Sequence, residues 1–438
     1  MTDTIVIGGG LAGMAAAWRL ASQGQRVVLL EQSDHLGGLA SSFERDGRLY
    51  PLGYHHILST DPHLLAHLAR LGLLDRVHWK RLDMGFSMDG QIHSLGKPQD
   101  WLTFPLPWVT KARMAARVVS AWIPKNRTDE PASQWLARIA GQSAVRDFFD
   151  PLTHIKFGLP CSALSAAWLR ARLQAGESAC QYGYMPNEDW VSVLIDALHE
   201  RLLSAGVTIR LQTGAARLRM NDRMSRITAV ITDTDEVIPT RTVIGALAPP
   251  LLERLTGEVS DPHLSAIQYT GVVSTVMATR QDVPLDRYWT NFLRPNMSFG
   301  GIFRLDLLND SLGHPGMKLL NFCTHVRDRS DHSMLRWDPE KIEHTYRTDF
   351  EQCFSMKLEP EWAHTSRIPY YSPVFVDGYT NPQVTHGRLQ NLFLAGNHRT
   401  FPVLATTGSA MGAGMEAAEA AIQLLARTPR AVEDTEAA

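Results

Sequence analysis

The chain has 438 residues, of which 44% are hydrophobic and 20% are charged, a balance typical of a folded protein with a sizeable core. Its 43 Lys and Arg residues against 45 Asp and Glu give a net charge of −2, which exerts no overall attraction on nucleic acid. No run of 18 apolar residues predicts a membrane span, and the N-terminus lacks a signal-peptide pattern. The four cysteines form no CxxC pair. This spacing predicts no metal site and favours reduced thiols in a cytoplasmic protein.

The first forty residues carry the most specific pattern of the chain. Residues 4–7 predict a buried strand, residues 14–23 a helix, and residues 26–30 a second strand that ends at Glu31. The turn between the first strand and the helix contains the GxGxxG glycines Gly8, Gly10 and Gly13. This order predicts a dinucleotide site, because a pyrophosphate can approach bare backbone and the unpaired N–H groups of a helix N-terminus. Glu31 would bind the ribose hydroxyls and repel a 2′-phosphate, which disfavours NADP.

A second glycine pair, Gly37-Gly38, follows Glu31 after five residues. The combined pattern resembles the amine-oxidase-like FAD flavoprotein superfamily, and in particular its protoporphyrinogen oxidase-like and UDP-galactopyranose mutase-like branches. The resemblance implies an α/β fold in which a Rossmann-like FAD-binding domain of the glutathione-reductase type carries an inserted α+β substrate domain. It implies FAD as the cofactor and no bound metal.

The resemblance also implies which segments hold the cofactor. The residue near Ala215 would offer its backbone to the adenine. A strand over 391–397, a loop over 406–414 and a helix over 415–425 would seat the flavin ring on a second helix N-terminus. The residues expected to contact FAD are Gly8, Gly10, Leu11, Ala12, Gly13, Glu31, Gln32, Gly37, Gly38, Leu39, Gly53, Tyr54, Ala215, Gly396, Asn397, Thr407, Gly408 and Ser409.

The domain organisation that this implies is discontinuous. The FAD-binding domain would comprise residues 1–60, 189–265 and 386–427, and the substrate domain residues 61–188 and 266–385. Residues 428–438 are polar and predict a disordered tail. Within the second FAD segment, the apolar periodicity predicts a helix over 190–204, with Asp189 as its N-cap and Gly206 as its stop signal.

The candidate catalytic residues come mainly from one loop. Residues 49–60 resemble the loop that lies against the flavin in UDP-galactopyranose mutases, and this resemblance makes His56 the better match and His55 an additional candidate. Taken alone, the histidine pair would be read as an exposed pair in a turn. Tyr288 and Tyr371 are candidates for an aromatic pocket wall, with ordinary core packing as the equal alternative.

The resemblance has departures that bear on the reaction. Monoamine oxidases carry an Arg after the glycine pair, where this chain has Leu39, and a Lys on a substrate-domain strand, whereas residues 271–279 contain none. The reaction expected first is hydride removal from a carbon centre to the flavin, with O2 or another acceptor reoxidising it. The alternatives are a redox-neutral enzyme of the UDP-sugar mutase or isomerase type and an FAD-holding binding protein without turnover.

The expected partner is a small-molecule substrate of apolar or amphipathic character, and no nucleic acid. The aromatic segment 101–109 suits a membrane surface, but ordinary helix packing within the substrate domain is the favoured interpretation. The oligomeric state stays open.

Overall fold

A computed structural model describes residues 2–88, 90–95, 97, 99–119, 130–175, 180–293 and 296–428. The predicted disordered tail therefore lies, beyond residue 428, outside the described residues. No helix within these ranges is both long enough and apolar enough to cross a membrane.

Across the described residues the chain alternates between strands and helices. The strands are β1 (Thr2–Ile7), β2 (Val27–Leu30), β3 (Ser42–Arg45), β4 (Arg48–Pro51), β5 (Ile57–Leu58), β6 (His78–Lys80), β7 (Met84–Met88), β8 (Gln91–Ser94), β9 (Tyr182–Tyr184), β10 (Thr208–Arg210), β11 (Ala215–Met220), β12 (Ile227–Thr232), β13 (Val237–Gly245), β14 (Tyr269–Thr279), β15 (Trp289–Phe292), β16 (Gly301–Arg304), β17 (Lys318–Val326), β18 (Trp362–Pro373) and β19 (Leu392–Leu394). The helices are α1 (Leu11–Ala21), α2 (Pro62–Arg70), α3 (Asp100–Thr103), α4 (Trp108–Val119), α5 (Ala132–Ala140), α6 (Gln142–Ala144), α7 (Asp150–Phe157), α8 (Ala166–Ala175), α9 (Trp190–Ser204), α10 (Pro249–Thr256), α11 (Pro262–Ser265), α12 (Leu305–Leu308), α13 (Pro339–Phe354) and α14 (Thr407–Arg427).

The first sheet joins three distant parts of the chain. Its parallel strands have the order β10-β2-β1-β13-β19, and β12 and β11 extend it in antiparallel fashion along the N-terminal half of β13. Numbered among themselves along the chain, the parallel strands run 3-2-1-4-5, as in a Rossmann-type sheet. The predicted α/β fold with a Rossmann-like unit is confirmed. The glycine turn leaves the end of β1, at the centre of this sheet.

Three helices cover one face of this sheet. α1, α9 and α14 contribute Met14, Leu198 and Met411 to the same fully buried apolar cluster. The packing is close because small residues stand at the contacts: a Cβ on Gly414 would lie 2.0 Å from the Ala12 carbonyl oxygen. The expected boundaries of α9 are correct, and the Asp189 carboxylate accepts a hydrogen bond from the Val191 amide as its cap.

The expected start of the last helix is wrong. α14 begins at Thr407, so most of the segment predicted as a loop forms its first two turns. Glycine and serine lower helix propensity, and this composition favoured a loop in the sequence. Tertiary packing outweighs that preference here, because a Cβ on Gly408 would lie 2.4 Å from the Leu64 amide nitrogen of α2.

The second sheet separates two apolar clusters. Its strand order is β18-β14-β17-β16-β15-β7-β8, antiparallel except for the parallel pair β15–β7. One face packs against α13 through Ile342, Tyr346 and Phe350, all fully buried. The other face carries Trp289 and Phe303 and packs against the loop between β4 and β5.

Helices α3 to α8 form a separate apolar cluster around Trp135 and Phe148. The segment 101–109 joins it only in part. Phe104 and Leu106 are buried, whereas Leu102 is 78% and Trp108 75% exposed. The expectation that this segment packs within the substrate domain is therefore correct for Phe104 and Leu106 and wrong for Leu102 and Trp108.

Candidate functional site

The glycine turn at the end of β1 presents bare backbone. Gly10 is the N-cap of α1 with extended backbone and no side-chain cap. A Cβ added at Gly10 would meet protein atoms only at 3.9 Å, so the space beside it is open. At Gly13 a Cβ would lie 1.9 Å from the Gly8 carbonyl oxygen, so that glycine is required by strand–helix packing. Leu11 and Ala12 form the first turn of α1, whose N–H groups point toward this open space.

The second glycine pair lies against the first. The Gly37 amide donates to the Gly9 carbonyl oxygen at 2.9 Å, and Gly10 and Gly37 form an isolated parallel bridge. A Cβ on Gly38 would lie 3.1 Å from the Gly10 Cα. Both members of the pair have positive φ angles, 114° and 56°, which favour glycine. The two glycine segments therefore form one continuous strip of backbone without side chains, and Leu39 lies at its end.

Glu31 is fixed beside this strip. Its carboxylate accepts hydrogen bonds from the Gly9 amide at 2.7 Å and the Ser33 amide at 2.9 Å, and only 8% of the residue is exposed. The Glu31 carbonyl oxygen accepts from the Thr213 amide at 2.8 Å. That bond brings the start of β11, with Ala215, beside the exposed Gln32. The arrangement is the one expected for the adenosine end of a dinucleotide.

The start of α14 lies at the other end of the candidate site. Thr406 and Ser409 form a reciprocal capping box in which each side-chain oxygen accepts from the other residue's amide. The first-turn amides of Thr407 and Gly408 are the donors that this box does not use. The hydroxyl and the amide of Ser409 are both engaged within this cap, so the free donors at this helix start are those of Thr407 and Gly408.

Gly396 and Asn397 follow β19 and join the two sheets. Gly396 has a φ of 137°, and a Cβ there would lie 3.3 Å from the His398 ring. The Asn397 side chain accepts from the Tyr269 hydroxyl at 2.9 Å and donates to the Tyr371 carbonyl oxygen at 3.2 Å. Its amide therefore ties the C-terminal segment to β14 and β18.

The loop between β4 and β5 carries the histidine pair. A Cβ on Gly53 would meet nothing within 4 Å, so this position leaves room for a ligand. The Tyr54 ring stacks on Phe303 with centroids 3.9 Å apart. His55 Nε2 lies 3.1 Å from the Leu39 carbonyl oxygen, which links the loop to the second glycine pair. His56 Nε2 is buried and has no hydrogen-bond partner in the protein.

Burial keeps these imidazoles neutral. It lowers the pKa of His56 to about 3, with further contributions from His55, Lys156 and Arg172. The pKa of His55 is lowered to about 4, chiefly by burial. The pKa of His325 on β17 is lowered to about 3 by burial and by the same Lys and Arg. At neutral pH each ring therefore has one donor and one acceptor nitrogen.

These elements surround a solvent-open cavity with a volume of about 170 Å³. Half of its lining residues carry aromatic rings, three of them histidines, and two further side chains are cationic. The lining residues are Tyr54, His55, His56, Leu58, Lys156, Phe157, Trp168, Arg172, Trp289, His325, Tyr371, Ser372, Pro373, Phe375, Leu404, Ala405, Thr406 and Thr407.

Of the candidate catalytic residues, three line this cavity and one does not. His55, His56 and Tyr371 are in its wall. Tyr288 is 2% exposed and lies behind His56, with ring centroids 5.5 Å apart. Burial raises the pKa of both tyrosines well above its usual range, so both remain protonated donors.

Sequence reasoning missed part of the cavity wall. Lys156 from α7, Trp168 and Arg172 from α8, and His325 from β17 belong to no motif. No local signal separates these residues from ordinary surface and core positions, because their proximity depends on how the helical cluster packs on the second sheet.

The donor set fits FAD. A pyrophosphate fits the open backbone beside Gly10 and Gly38, and Glu31 is fixed where the ribose would lie. At the far end, the unpartnered His56 Nε2 and the first-turn amides of α14 are available to a ring that carries both donors and acceptors.

Comparisons with known proteins agree with this geometry. The chain is 35% identical over 111 residues to 15-cis-phytoene desaturase from Narcissus pseudonarcissus, a match covering 25% of this chain and 18% of the relative. It is 30% identical over 179 residues to coproporphyrinogen III oxidase from Propionibacterium freudenreichii, covering 37% of this chain and 33% of the relative. The matches thus span a third or less of the relatives' lengths.

Solved structures extend the likeness of the fold to almost the whole chain. A provisionally named protoporphyrinogen oxidase from Exiguobacterium sp. superimposes with a TM-score of 0.78 at 18% identity, covering 97% of this chain and 99% of the other. A reduced UDP-galactopyranose mutase gives a TM-score of 0.73 at 15% identity, covering 97% and 96%. The family model described as flavin containing amine oxidoreductase matches residues 11–422. The predicted family is confirmed: the chain belongs to the flavin-containing amine oxidoreductases, and its cofactor is FAD.

Proposed function

We propose that the protein is an oxidoreductase that removes a hydride from a carbon centre of an organic substrate, with O2 or another acceptor reoxidising the flavin. The observation that supports this best is the aromatic cavity, which extends from the histidine loop to Thr406 and Thr407 at the start of α14. Bound FAD supplies the two-electron acceptor. A substrate in this cavity would contact the walls formed by Tyr54 and Trp289.

The proposed role of His56 is to hold a hydrogen bond at the flavin edge. With a pKa of about 3 it stays neutral, so it acts as a donor or an acceptor rather than as an imidazolium acid. Its Nε2 has no partner in the protein and is available for this bond. Tyr371 is proposed to contact the substrate, and Tyr288 is proposed as a positioning residue that packs against the His56 ring.

Anaerobic mixing of the holoenzyme with candidate substrates tests the proposal. Amines, polyprenoids, nucleotide sugars and aromatic acids are mixed with oxidised enzyme while the flavin absorbance is followed. An oxidoreductase should bleach its flavin with one equivalent of a true substrate and turn over only when an acceptor is added. Stable FAD with no bleaching by any compound would support the FAD-holding binding protein instead.

A redox-neutral mutase or isomerase is the second candidate. Two features support it: the histidine loop resembles that of UDP-galactopyranose mutases, and Lys156 and Arg172 in the cavity suit a phosphate-bearing substrate. Repeating the anaerobic experiment with dithionite-reduced enzyme separates this reaction both from hydride transfer and from an FAD-holding binding protein. Sustained turnover that requires prior dithionite reduction and transfers no net electrons would establish the redox-neutral reaction.

A further inference from the structure

Two cationic side chains line the cavity, and each lies over the face of an indole ring that also lines it. Lys156 Nζ is 4.1 Å from the centroid of the Trp289 ring. The Arg172 guanidinium carbon is 5.9 Å from the centroid of the Trp168 ring. Cation–π contacts of this kind hold a charged group in place at a partly desolvated site. The cations are therefore positioned before a ligand arrives.

The electrostatic influence of both cations extends across the cavity. Lys156 and Arg172 each contribute to the lowered pKa of His56, and both contribute again at His325. Of the described residues that line the cavity, none carries a carboxylate side chain. A protonated amine entering this space would meet like charge and neutral imidazoles, which is unfavourable. An anionic group would meet one ammonium and one guanidinium.

We propose that the substrate carries a carboxylate or phosphate group and that Lys156 and Arg172 bind it, while an apolar body lies against Trp289 and Tyr371. The inference rests on the proposed function in taking this cavity as the substrate site, and it deepens that proposal by naming the substrate class. The guanidinium can bind two oxygens of one group, and the ammonium supplies a point charge beside it. The protein accordingly selects against the cationic amines after which its family is named.

The experiment measures binding to the oxidised holoenzyme through perturbation of the flavin absorbance. Three probes share one phenylethyl body: 3-phenylpropionate, 2-phenylethyl phosphate and 2-phenylethylamine. We expect both anions to bind at least tenfold more tightly than the amine, and their affinity to fall with added salt. The tighter of the two anions identifies the source of the charge as a carboxylate or a phosphate ester.

Two variants and a matched control test the assignment to these residues. Lys156→Met and Arg172→Met should each weaken anion binding by tenfold or more and leave the amine unaffected or slightly improved. Arg146→Gln removes an exposed cation that precedes α7 and pairs with Asp147, and it should change nothing. Unchanged anion affinity in both Met variants, or an amine that binds as tightly as the anions, would overturn the proposal.

The wild-type enzyme provides a readout that does not depend on how the variants fold. The inference is supported if anion binding weakens with ionic strength and amine binding does not. It is contradicted if amine binding weakens with ionic strength and anion binding does not. Because binding is measured without turnover, its outcome is independent of flavin reduction. Anions that bind but never bleach the flavin would count against the hydride-transfer proposal and leave the anion site standing.

Discussion

The glycines of the first turn illustrate how identical residues serve different physical needs. Gly8 has a φ of 104°, a backbone conformation that side chains disfavour. Gly13 allows α1 to pack against the end of β1, since a Cβ there would lie 1.9 Å from the Gly8 carbonyl oxygen and overlap it. Gly10 alone faces open space. The sequence motif treats the three alike, and only the geometry separates folding positions from a ligand position.

This distinction predicts different outcomes for two substitutions. Gly10→Val should leave the fold intact and abolish FAD binding, because the new side chain occupies the space of the pyrophosphate. Gly13→Val should lower the stability of the protein itself as well. Flavin content after purification and thermal unfolding of the apoproteins are the measurements. A yellow Gly10→Val protein, or a Gly13→Val apoprotein as stable as wild-type apoprotein, would contradict the assignment.

His56 supports a second prediction at the same scale. His56→Ala should retain FAD but shift the flavin spectrum or its reduction potential, because the bond available from Nε2 is lost. His344→Ala is a suitable control, since this exposed histidine lies on α13, away from the cavity. Spectra and potentials are compared across wild type and both variants. If replacing His55 and His56 together changes neither quantity, the loop does not border the flavin.

At the level of elements, local signals predict most of what surrounds the cofactor. The βαβ unit and α9 are predicted well because their apolar periodicity, caps and stop signals are contained in short windows of sequence. The start of α14 is predicted poorly, because its small residues are required by packing contacts with α1 and α2, which are distant in the sequence. A glycine-rich helix is indistinguishable from a loop until its packing partners are known.

The capping box of α14 gives a prediction for an element. Thr406→Ala removes the side chain that accepts from the Ser409 amide and should cost about 1 kcal/mol of unfolding free energy. Thr428→Ala at the other end, where the exposed hydroxyl donates to Leu424, should cost little. Urea unfolding measures both. Because the two capping residues bond to each other, Thr406→Ala and Ser409→Ala should be non-additive, and strict additivity would count against a coupled cap.

At the scale of the whole molecule, the candidate site is assembled from segments that no local pattern connects. The cavity wall combines the loop after β4 with α7, α8, β17, β18 and the residues before α14. The sequence predicts the glycine backbone strip, which is expected to bind FAD, because one motif contains most of its residues. The sequence does not predict that Lys156 and His325 line the cavity. These two residues come together only because the helical cluster packs against the second sheet. The predicted domain boundaries stay a prediction.

Buried histidines give the molecule a common response to pH. The pKa is lowered by burial to about 4 at His55 and His67 and to about 3 at His56, His325 and His398. These groups are neutral in the folded state at pH values where the unfolded chain, with a histidine pKa of 6.5, binds protons. Their contribution to stability is complete above that pKa and is lost as the pH falls below it. Asp189 has the opposite effect, because burial raises its pKa to about 6. Its contribution to stability is present at low pH and is lost as the pH rises toward 6.

His398 allows this pH response to be tested on one residue outside the cavity lining. Both ring nitrogens are buried without a partner, and only 1% of the residue is exposed. Since its folded pKa of about 3 lies well below pH 5, the neutral ring should cost about 2 kcal/mol at pH 5 relative to pH 7 or above. His398→Phe should therefore lose less stability than wild type between pH 7 and pH 5, by about that amount, whatever the substitution costs at pH 7. Urea unfolding of the holoenzyme at both pH values measures the difference, with exposed His344→Gln as the control expected to follow wild type. An equal loss in wild type and His398→Phe would mean that His398 takes up its proton in the folded protein as readily as in the unfolded chain.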